Sequence, residues 1–529
     1  MNALIIVFIG VILLFLGYRF YARKLESLWS IDPARPTPAF SKYDSLDYIP
    51  AKNWLVLFGH HFSSIAGAGP IVGPVIAVML WGWIPALLWV VLGTIFIGGV
   101  HDFGSLVTSV REGGSTIADI AQHVISRRAK ITLSLFLLLA LILVVAVFAY
   151  LCADTFVKEP KVVIPSLGLI PVAIVVGYLL YYLRINTILA TILGLICLAG
   201  LVFLGNILPV NNSLNIWLLI LFIYCYFASI LPVNVLLQPR DYLSSFLLFF
   251  GIGCGYLGLI LSPPRIDMPG YHSWASGEGY LWPALFITVA CGAVSGFHTL
   301  VASGTTSKQI ASERHIKRIG YGAMVCEALL ALIAIVSVAA LFHKKEDFAL
   351  ILKNTTPIGL FGRGYGLITS SILGNSGKVV AIVILNAFII TTLDTATRIS
   401  RYLIEELFKV KNRYFSSFII VILGASLAFS GKWNKIWPAF GASNQLVAAL
   451  ALLVLSCWLL AKKKSARFTL WPAFFMIITT IASLLFQVVK YFINKDIMLF
   501  TVSVLLVILA GVMLYEVIPI ILIRRKRHA

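Results

Sequence analysis

The feature that most constrains this chain is a series of apolar runs of about 20 residues that recur from one end to the other. Each run is long enough to cross the hydrocarbon core of a bilayer as a helix. Of the 529 residues, 60% are hydrophobic and only 12% are charged, and the water-exposed surface of a soluble protein needs more charge than that. The pattern predicts an all-α polytopic membrane protein with about 15 transmembrane helices.

The basic residues predict how the spans are oriented. The chain has 41 Lys and Arg residues against 21 acidic residues, a net charge of +20, and they form short clusters between the apolar runs. Alternate loops hold most of them, including the C-terminal sequence RRKRH. The positive-inside rule then predicts a multi-pass protein of the cytoplasmic (inner) membrane with its N-terminus outside and its C-terminus cytoplasmic. The same distribution argues against nucleic acid as a partner.

One predicted span contains residues that disfavour a helix. The stretch GHHFSSIAGAGP, residues 59–70, holds two histidines, two serines, three glycines and a proline inside an apolar run. A backbone can unwind at membrane depth only where protein or a watery cavity satisfies its freed polar groups. Glycine permits unusual dihedral angles and proline suits the first turn of a new helix. We therefore predict a half-helix, a break and a second half-helix.

A second stretch, CGAVSGFHTLVASGTTSKQ at residues 291–309, resembles the first. In each, a histidine is followed six residues later by a glycine, and small or hydroxyl residues surround the pair. In a single helix such glycines more often indicate close packing, but two stretches in spans of opposite direction indicate the paired breaks of an inverted-repeat transporter. The predicted substrate-binding residues are His61, Ser63, Ser64, Gly67, Gly69, Ser295, Gly296, His298, Thr299, Ser303, Gly304 and Thr305.

The two breaks make residues 1–529 one predicted transporter domain. It consists of an extra N-terminal span at 3–20, an inverted-repeat core at 54–461 and two C-terminal spans at 469–522. At the breaks, free N–H groups at the starts of half-helices would bind an anionic group of a solute, and histidine would exchange a proton.

Ionisable and hydroxyl residues in other spans are candidates for binding a coupling ion. Asp102 lies near the cytoplasmic end of a span, where the alternative is that it is solvated or paired with Arg111. For Asp394 the alternative is an ion pair with Arg398, four residues further along a helix. Glu327 is either a proton carrier or a hydrogen-bond partner of a neighbouring span. The coupling ion is a proton or sodium, and the predicted ion-coupling residues are Asp394, Thr391, Thr392, Thr395, Glu327 and Asp102.

Several long stretches resemble the carbon starvation protein A family of bacterial and archaeal inner-membrane transporters. The resemblance implies uptake of small nutrients in a starvation response: peptides in the commonest assignment, and pyruvate with protons for some relatives. It also implies the LeuT-like superfamily, in which a hydroxyl pair such as that in NAFIITTLDTATR faces carbonyl groups of the first broken helix and holds sodium. The matching sequences are GHHFSSIAGAGPIVGPVIA (59–77), HDFGSLVTSVREGGSTIADI (101–120), SGFHTLVASGTTSKQI (295–310), TTLDTATRISRYLIEEL (391–407) and FGASNQLVAALAL (440–452).

We therefore expect a symporter, a secondary active transporter that takes up a small peptide or a pyruvate-like carboxylate by ion-coupled alternating access. The alternatives are a passive channel, which needs a continuous pore, and a nutrient-sensing membrane protein, which would need a signalling partner. An enzyme is not expected, because the chain has no HExxH, GxSxG or paired-carboxylate signature.

We expect no cofactor and no metal, since the seven cysteines stand singly without metal-site or redox-pair spacing. The exact solute, the coupling ion and the oligomeric state stay open. So does the question whether His61 and His298 carry protons or only line the site.

Overall fold

The fold is a bundle of helices. A computed structural model describes residues 2–342, 348–430 and 433–526 of the chain. The helices of the first half are α1 Ala3–Leu16, α2 Ala22–Trp29, α3 Pro38–Ser41, α4 Trp54–Ala66, α5 Gly69–Trp81, α6 Trp83–Gly93, α7 Gly99–Arg111, α8 Ile117–Val124, α9 Arg127–Lys158, α10 Val163–Tyr181, α11 Thr187–Ile207 and α12 Leu214–Ile230. Those of the second half are α13 Leu237–Leu261, α14 Phe286–Thr288, α15 Gly296–Gly304, α16 Ile316–Ala339, α17 Phe348–Asn354, α18 Pro357–Ile368, α19 Ser370–Leu373, α20 Gly377–Phe408, α21 Arg413–Ala428, α22 Trp433–Ala461, α23 Arg467–Ile493 and α24 Ile497–Lys526.

Short elements join these helices. The two-residue strands β1 Ala275–Ser276 and β2 Gly279–Tyr280 pair antiparallel and form a hairpin. We call the end of the bundle that carries this hairpin the hairpin end. Five-residue π-helical turns lie at Gly17–Tyr21, Thr94–Gly98 and Leu281–Leu285, and 3₁₀ turns lie at Pro160–Val162, Thr306–Lys308, Glu313–His315 and Gly374–Ser376.

The membrane-spanning class predicted from the sequence is confirmed. In the described part of the chain, 12 helical segments are long and apolar enough to cross a membrane, and α12 and α21 are shorter apolar helices. The apolar segment that contains α14 and α15 is divided between two short helices, so it is not among these 12. The count of about 15 spans stays a prediction.

Burial separates central helices from peripheral ones. In their most apolar 18 residues, the segments Trp54–Trp81, Ser370–Phe408 and Ile436–Ala461 are each 89% buried, whereas Thr187–Ile207 and Ile497–Arg524 are 28% buried. Exposed apolar side chains on the last two segments are expected to face the lipid, since lipid tails are as apolar as the side chains themselves. The segment Trp54–Trp81, which contains the first predicted break, therefore lies at the centre of the bundle.

The packing of the central helices brings distant parts of the chain together. Helix α4 packs against α13, α16 and α20, and α15 packs against α7, α20 and α22. Asn53 begins α4 by accepting a hydrogen bond from the N–H of Val56 at 3.0 Å, an ordinary N-cap that fixes where the first broken segment starts.

Candidate functional site

The first break lies between α4 and α5. Helix α4 ends at Ala66, and Gly67 has a φ of 38° and a ψ of −154°, a conformation that L side chains rarely adopt. Helix α5 begins at Gly69 with Pro70 in its first turn, where the missing N–H removes no helical bond. A Cβ at position 67 would also lie 3.0 Å from Thr392 Oγ1. The predicted break is confirmed, and both conformation and space require glycine there.

The second break is longer and lies on the other side of its histidine. Residues 289–295, between α14 and α15, are not helical. The break thus comes before His298, whereas the first break follows His61. Gly67 is the break itself, but Gly304 is the last residue of α15. The two breaks exist as predicted, while the equivalence inferred from the six-residue spacing is wrong.

Two amides of α22 satisfy the unwound backbone of the second break. Asn444 Oδ1 accepts from the N–H of Phe297 at 2.8 Å, and Asn444 Nδ2 donates to Ser295 Oγ at 3.0 Å. Gln445 Nε2 donates to the carbonyl oxygen of Val294 at 2.9 Å. The start of α15, which the sequence offered as an anion site near Ser295, is therefore capped from within the protein. At the start of α5, the N–H groups of Ile71 and Val72 instead donate to the carbonyl oxygen of Ala68, at 3.2 and 2.9 Å.

The two breaks face each other, as the inverted-repeat prediction requires. Gly69 lies against Cys291, so closely that a side chain at position 69 would overlap the thiol. From the other side, a Cβ at Gly292 would lie 3.4 Å from the Cα of Pro70. We call α4 and α5 the first crossing, and α14 and α15 the second crossing. Glycine on both crossings lets the two backbones approach each other in the middle of the bundle.

His298 lies between two carboxylates. Its Nδ1 is 2.9 Å from Asp102 Oδ2, and its Nε2 is 3.1 Å from Glu327 Oε2. All three side chains are fully buried. The other oxygen of Asp102 lies 2.8 Å from His101 Nδ1. Among the described residues, His298 Nε2 and both oxygens of Glu327 have no aligned hydrogen bond, so the contact between His298 and Glu327 is a close ion-pair distance and not a hydrogen bond. Three of the predicted residues, one each from α7, α15 and α16, therefore form one cluster, which we call the His298 triad.

Two adjacent histidines join the first crossing to the end of the second. His61 Nδ1 lies 2.8 Å from Thr306 Oγ1, and His60 Nε2 lies 3.3 Å from Thr305 Oγ1. The Nε2 atom of His61 has no hydrogen-bond partner in the described ranges. These contacts between α4 and the residues after α15 lie on the side of the breaks that is remote from the hairpin end.

Beyond His60 lies a second buried ion network. His60 Nδ1 is 2.7 Å from Asp241 Oδ2. The guanidinium of Arg240 donates to Asp241 Oδ1 at 2.6 Å and to Asp394 Oδ1 at 3.0 Å. The hydroxyl of Tyr224 donates to Asp394 Oδ2 at 2.6 Å. We call these five residues the Arg240 network.

Sequence reasoning singled out only Asp394 of this network. The signal for two others was present in PVNVLLQPRD (232–241), where opposite charges stand next to each other beside an apolar run. Because Arg240 and Asp241 are 1% and 0% exposed, they are charges that need buried partners. His60 carried no signal that separated it from His61.

Both ion pairs offered as alternatives for the acids are wrong. Asp102 contacts histidines, and Arg111 Nη2 instead donates to Glu313 Oε2 at 2.9 Å. Asp394 contacts Arg240, and Arg398 has another partner. Asp394 has a partner from another helix, Arg240, while Asp102 lies between its neighbour His101 and His298 of another helix.

The threonines of α20 face the first broken helix. Thr391 Oγ1 donates to the carbonyl oxygen of Ser63 at 2.6 Å, and Thr392 Oγ1 donates to that of Ser64 at 2.9 Å. Thr395 Oγ1 lies 3.1 Å from Ser64 Oγ. The family resemblance implied this hydroxyl–carbonyl arrangement. Here the two groups hydrogen-bond each other directly.

The other predicted residues of α15 are engaged in packing. Ser303 Oγ donates to the carbonyl oxygen of Thr299 at 2.7 Å, one turn back. A Cβ at Gly304 would lie 3.1 Å from Ile399, and Gly296 lies directly against the backbone of α22. These glycines and hydroxyls allow α15 to sit close to its neighbours.

A cavity of about 860 Å³ lies at the hairpin end beside the breaks. It is bounded by α5, by the residues just before the second break, and by α22 and α23. Lys490 and Glu278 form an ion pair of 3.0 Å in its wall, so both signs of charge line it. Its lining includes Ile76, Thr288, Trp437, Gly441 and Gln487.

The opposite end of the bundle holds an ion-pair cluster around Asp47. Its two oxygens lie 2.9 Å from Arg398 Nη1 and 3.3 Å from Arg401 Nη2, and it accepts a hydrogen bond from the Tyr402 hydroxyl at 2.6 Å. The ammonium of Lys308 lies 3.9 Å from the centre of the Tyr402 ring. Burial by itself raises the pKa of Asp47, but Arg398, Arg401 and Lys308 lower it to about 2. The cluster holds the segment before α4, the residues after α15, and α20 together.

The sequence is similar to that of known transporters. The family model described as "Carbon starvation protein CstA" matches residues 2–350 and 346–483. The "Peptide transporter CstA" of Bacillus subtilis (strain 168) is 31% identical, over 86% of this chain and 85% of that protein. The "Pyruvate/proton symporter BtsT" of Escherichia coli (strain K12) is 30% identical, over 90% of this chain and 81% of that protein.

The fold is similar to that of a solved transporter. A crystal structure of the Eremococcus coleocola manganese transporter, in complex with an aromatic bis-isothiourea compound, covers 92% of this chain with a TM-score of 0.54, and 99% of that chain is matched. The sequence identity is 12%, so the similarity is one of helical architecture.

Proposed function

Since the chain belongs to the carbon starvation CstA family, we propose that it is a proton-coupled secondary transporter that takes up a small carboxylate solute, pyruvate-like or a short peptide. The observation that supports proton coupling most directly is the His298 triad, an imidazole held between two fully buried carboxylates. The relatives are named as transporters of peptides or of pyruvate with protons, and a carboxylate is common to both solutes.

The charge of the triad explains why protons bind there. Two carboxylates and a neutral imidazole would leave two negative charges in a water-free interior, which is strongly unfavourable. A proton that stays on His298 removes one of these charges, and one exchangeable proton at Glu327 removes the other. His298 Nε2 and Glu327 Oε2 lie 3.1 Å apart without an aligned hydrogen bond, so a small shift of α15 would bring them into the geometry for proton transfer.

The position of His298 connects this proton to movement. It is the third residue of α15, whereas its two partners belong to α7 and α16, which pack against each other. A shift of α15 relative to those two helices would change both distances at once. Proton binding would then favour one arrangement of the second crossing, which is what coupling requires.

The solute carboxylate is proposed to bind at the start of α5. The dipole of α5 favours an anion at this start, although the N–H groups of Ile71 and Val72 there donate to the carbonyl oxygen of Ala68. The equivalent place on α15 is filled by Asn444. The 860 Å³ cavity at the hairpin end is lined by Ile76 of α5 and by Thr288 just before the second break, and it provides room for a small solute and water on the way to this start.

The two ends of the bundle differ as alternating access requires. The hairpin end holds the cavity, and the other end is closed by the Asp47 cluster. With the N-terminus outside and the C-terminus cytoplasmic, this arrangement is an outward-facing state of a core at residues 54–461. A passive channel would need both ends open together.

Transport in reconstituted vesicles tests the proposal. Purified protein in proteoliposomes should accumulate labelled pyruvate or a labelled dipeptide when the outside is acidified, and a protonophore should abolish accumulation. A sodium gradient alone should have no effect. Uptake driven by sodium, or uptake that merely equilibrates the solute and ignores the pH gradient, would overturn the proposal.

A further inference from the structure

We infer that the Arg240 network is a second proton-binding site, with the proton carried by His60, and that each transport cycle therefore moves two protons. The inference rests on the proposed function in that it assumes proton-coupled transport, but it uses none of the residues of the His298 triad. It concerns the opposite side of α4, where α13 and α20 pack.

The first argument is the charge balance of the network. Arg240 contacts both Asp241 and Asp394, so one guanidinium faces two carboxylates. All three side chains are at most 1% exposed. The hydroxyl of Tyr224 adds a hydrogen bond but no charge. One negative charge stays uncompensated unless a further cation binds, and in a buried site that excess is strongly unfavourable.

The second argument is that His60 is positioned to supply that charge. Its Nδ1 lies 2.7 Å from Asp241 Oδ2, the carboxylate oxygen that Arg240 does not contact. A protonated ring there makes a charge-assisted hydrogen bond with the otherwise under-compensated carboxylate. With His60 protonated, the network holds two positive and two negative charges.

The third argument is that the surroundings of His60 fit both protonation states. Its Nε2 lies 3.3 Å from Thr305 Oγ1, which can accept a hydrogen bond from the charged ring. It also lies 3.4 Å from Gln309 Nε2, which can donate to the neutral ring. The amide of Gln309 is held in that orientation because its oxygen accepts from Gln238 Nε2 at 2.6 Å. The ring can thus gain and lose a proton without leaving a nitrogen unpaired.

The charged groups that contact His60 differ from those of the His298 triad. The charged groups facing His60 are Asp241 and Arg240 from α13, and through them Asp394 from α20. On its own helix the next residue, His61, faces Thr306. From the segment after α15, the ammonium of Lys308 is directed to the ring of Tyr402. Glu327 of α16 faces His298.

A metal cation does not fit as the missing charge. The guanidinium of Arg240 already occupies the space between the two carboxylates. The nearby carbonyl groups of Ser63 and Ser64 accept hydrogen bonds from the threonines of α20. A sodium ion would have to displace Arg240 from the two carboxylates, or the threonine hydroxyls from these carbonyl oxygens, whereas a proton needs only the ring nitrogen.

The coupling ratio tests the inference. In proteoliposomes, the solute gradient that just balances an imposed pH gradient gives the number of protons moved per solute. We expect two for the unaltered protein and one for Asp241→Asn, because Arg240 and Asp394 then balance each other and His60 needs no proton. His60→Gln should also give one. Ser245→Ala, a buried hydroxyl on the same helix α13, is the matched control and should keep a ratio of two.

The outcomes separate this inference from the proposed function. A ratio of one in the unaltered protein, or a ratio of two in both Asp241→Asn and His60→Gln, would overturn the second site and leave proton-coupled transport standing. A complete absence of proton movement in the unaltered protein would overturn both.

If Asp241→Asn does not transport, proton uptake by the folded protein gives the answer. Potentiometric titration of the purified variant in detergent, between about pH 8 and pH 5, should show one proton fewer than the unaltered protein. Equal uptake by the two proteins would overturn the inference.

Discussion

At the scale of single residues, the net charge of the His298 triad depends on how many protons the imidazole and its two carboxylates hold. His298 contacts Asp102 through one ring nitrogen and Glu327 through the other. A change that removes the charge of one acid without changing its size therefore alters proton binding and leaves the packing intact. Because neither oxygen of Glu327 makes a hydrogen bond among the described residues, Glu327 is the easier of the two acids to change.

Glu327→Gln should separate solute exchange from coupling. We expect concentrative uptake driven by a pH gradient to fall by at least about tenfold, the effect of losing one positioned proton carrier. Exchange of labelled for unlabelled solute, which needs no net proton movement, should continue. Asp154→Asn, an acid at the end of α9 that pairs with Lys158, is the control and should leave both unchanged. Loss of exchange together with accumulation would contradict the assigned role.

The sequence showed which residues were unusual but not which of them meet. His298, Asp102 and Glu327 were each recognisable as polar groups inside apolar runs. Asp102 and His298 are 196 positions apart in the chain, so their contact follows from helix packing that local pattern does not encode. For the same reason the nearby basic residue was a poor guide to the partner of Asp394, which is Arg240.

At the scale of elements, the two breaks are built in different ways. The first depends on one glycine with a positive φ, and glycine followed by proline made it predictable. The second is seven residues long and depends on amides from α22. Its position relative to His298 was not predictable because the groups that satisfy it lie about 150 residues away in the sequence.

Gly67→Ala should destabilise the protein. The added methyl group would meet Thr392 Oγ1 at 3.0 Å and a ring carbon of Phe148 at 3.1 Å, and the backbone has a φ of 38°. Backbone strain of about 1–3 kcal/mol is expected from this glycine-only conformation, seen as a lower melting temperature in detergent. Gly253→Ala, a helical glycine with open space around it, should not lower it.

Asn444→Ala should also destabilise the protein, because the N–H of Phe297 and the hydroxyl of Ser295 lose their partner. The cost of losing an N-cap is about 0.5–2 kcal/mol. Asn444→Asp keeps the acceptor oxygen and should recover part of the loss. Equal melting temperatures for Asn444→Ala and the unaltered protein would show that the cap is not required.

At the scale of the whole molecule, the two ends of the bundle are in different states. A cavity of about 860 Å³ lies at one end, while Asp47 binds Arg398 and Arg401 at the other. That cluster joins the segment before the first crossing to the residues after the second, so it opposes any separation of the two crossings at that end. Asp47 has a pKa of about 2 and is ionised at physiological pH.

The closed end should be insensitive to pH in the range where cells operate. A carboxylate with a lowered pKa contributes stability above its unfolded value of about 4 and loses it only as the pH falls through about 2. Asp47→Asn should instead release the cluster at neutral pH. The measurement uses a cysteine placed at position 400 on α20, in a background without the native cysteines. A maleimide added on the side of the Asp47 cluster should then label this cysteine at least about tenfold faster in Asp47→Asn. Unchanged labelling would show that Asp47 does not keep this end closed.

The amide of Asn444 also has a consequence for cargo selection. Two-fold related crossings would offer two helix starts to an anion, and Asn444 occupies the start of α15. If the solute carboxylate binds at the start of α5 as proposed, a monoanion finds its place there, whereas the second acid group of a dicarboxylic acid would have to displace the amide of Asn444 before it found donors. The proposed site therefore predicts selectivity for singly charged nutrients over doubly charged ones of the same size, set by one side chain on a helix that the solute need not touch.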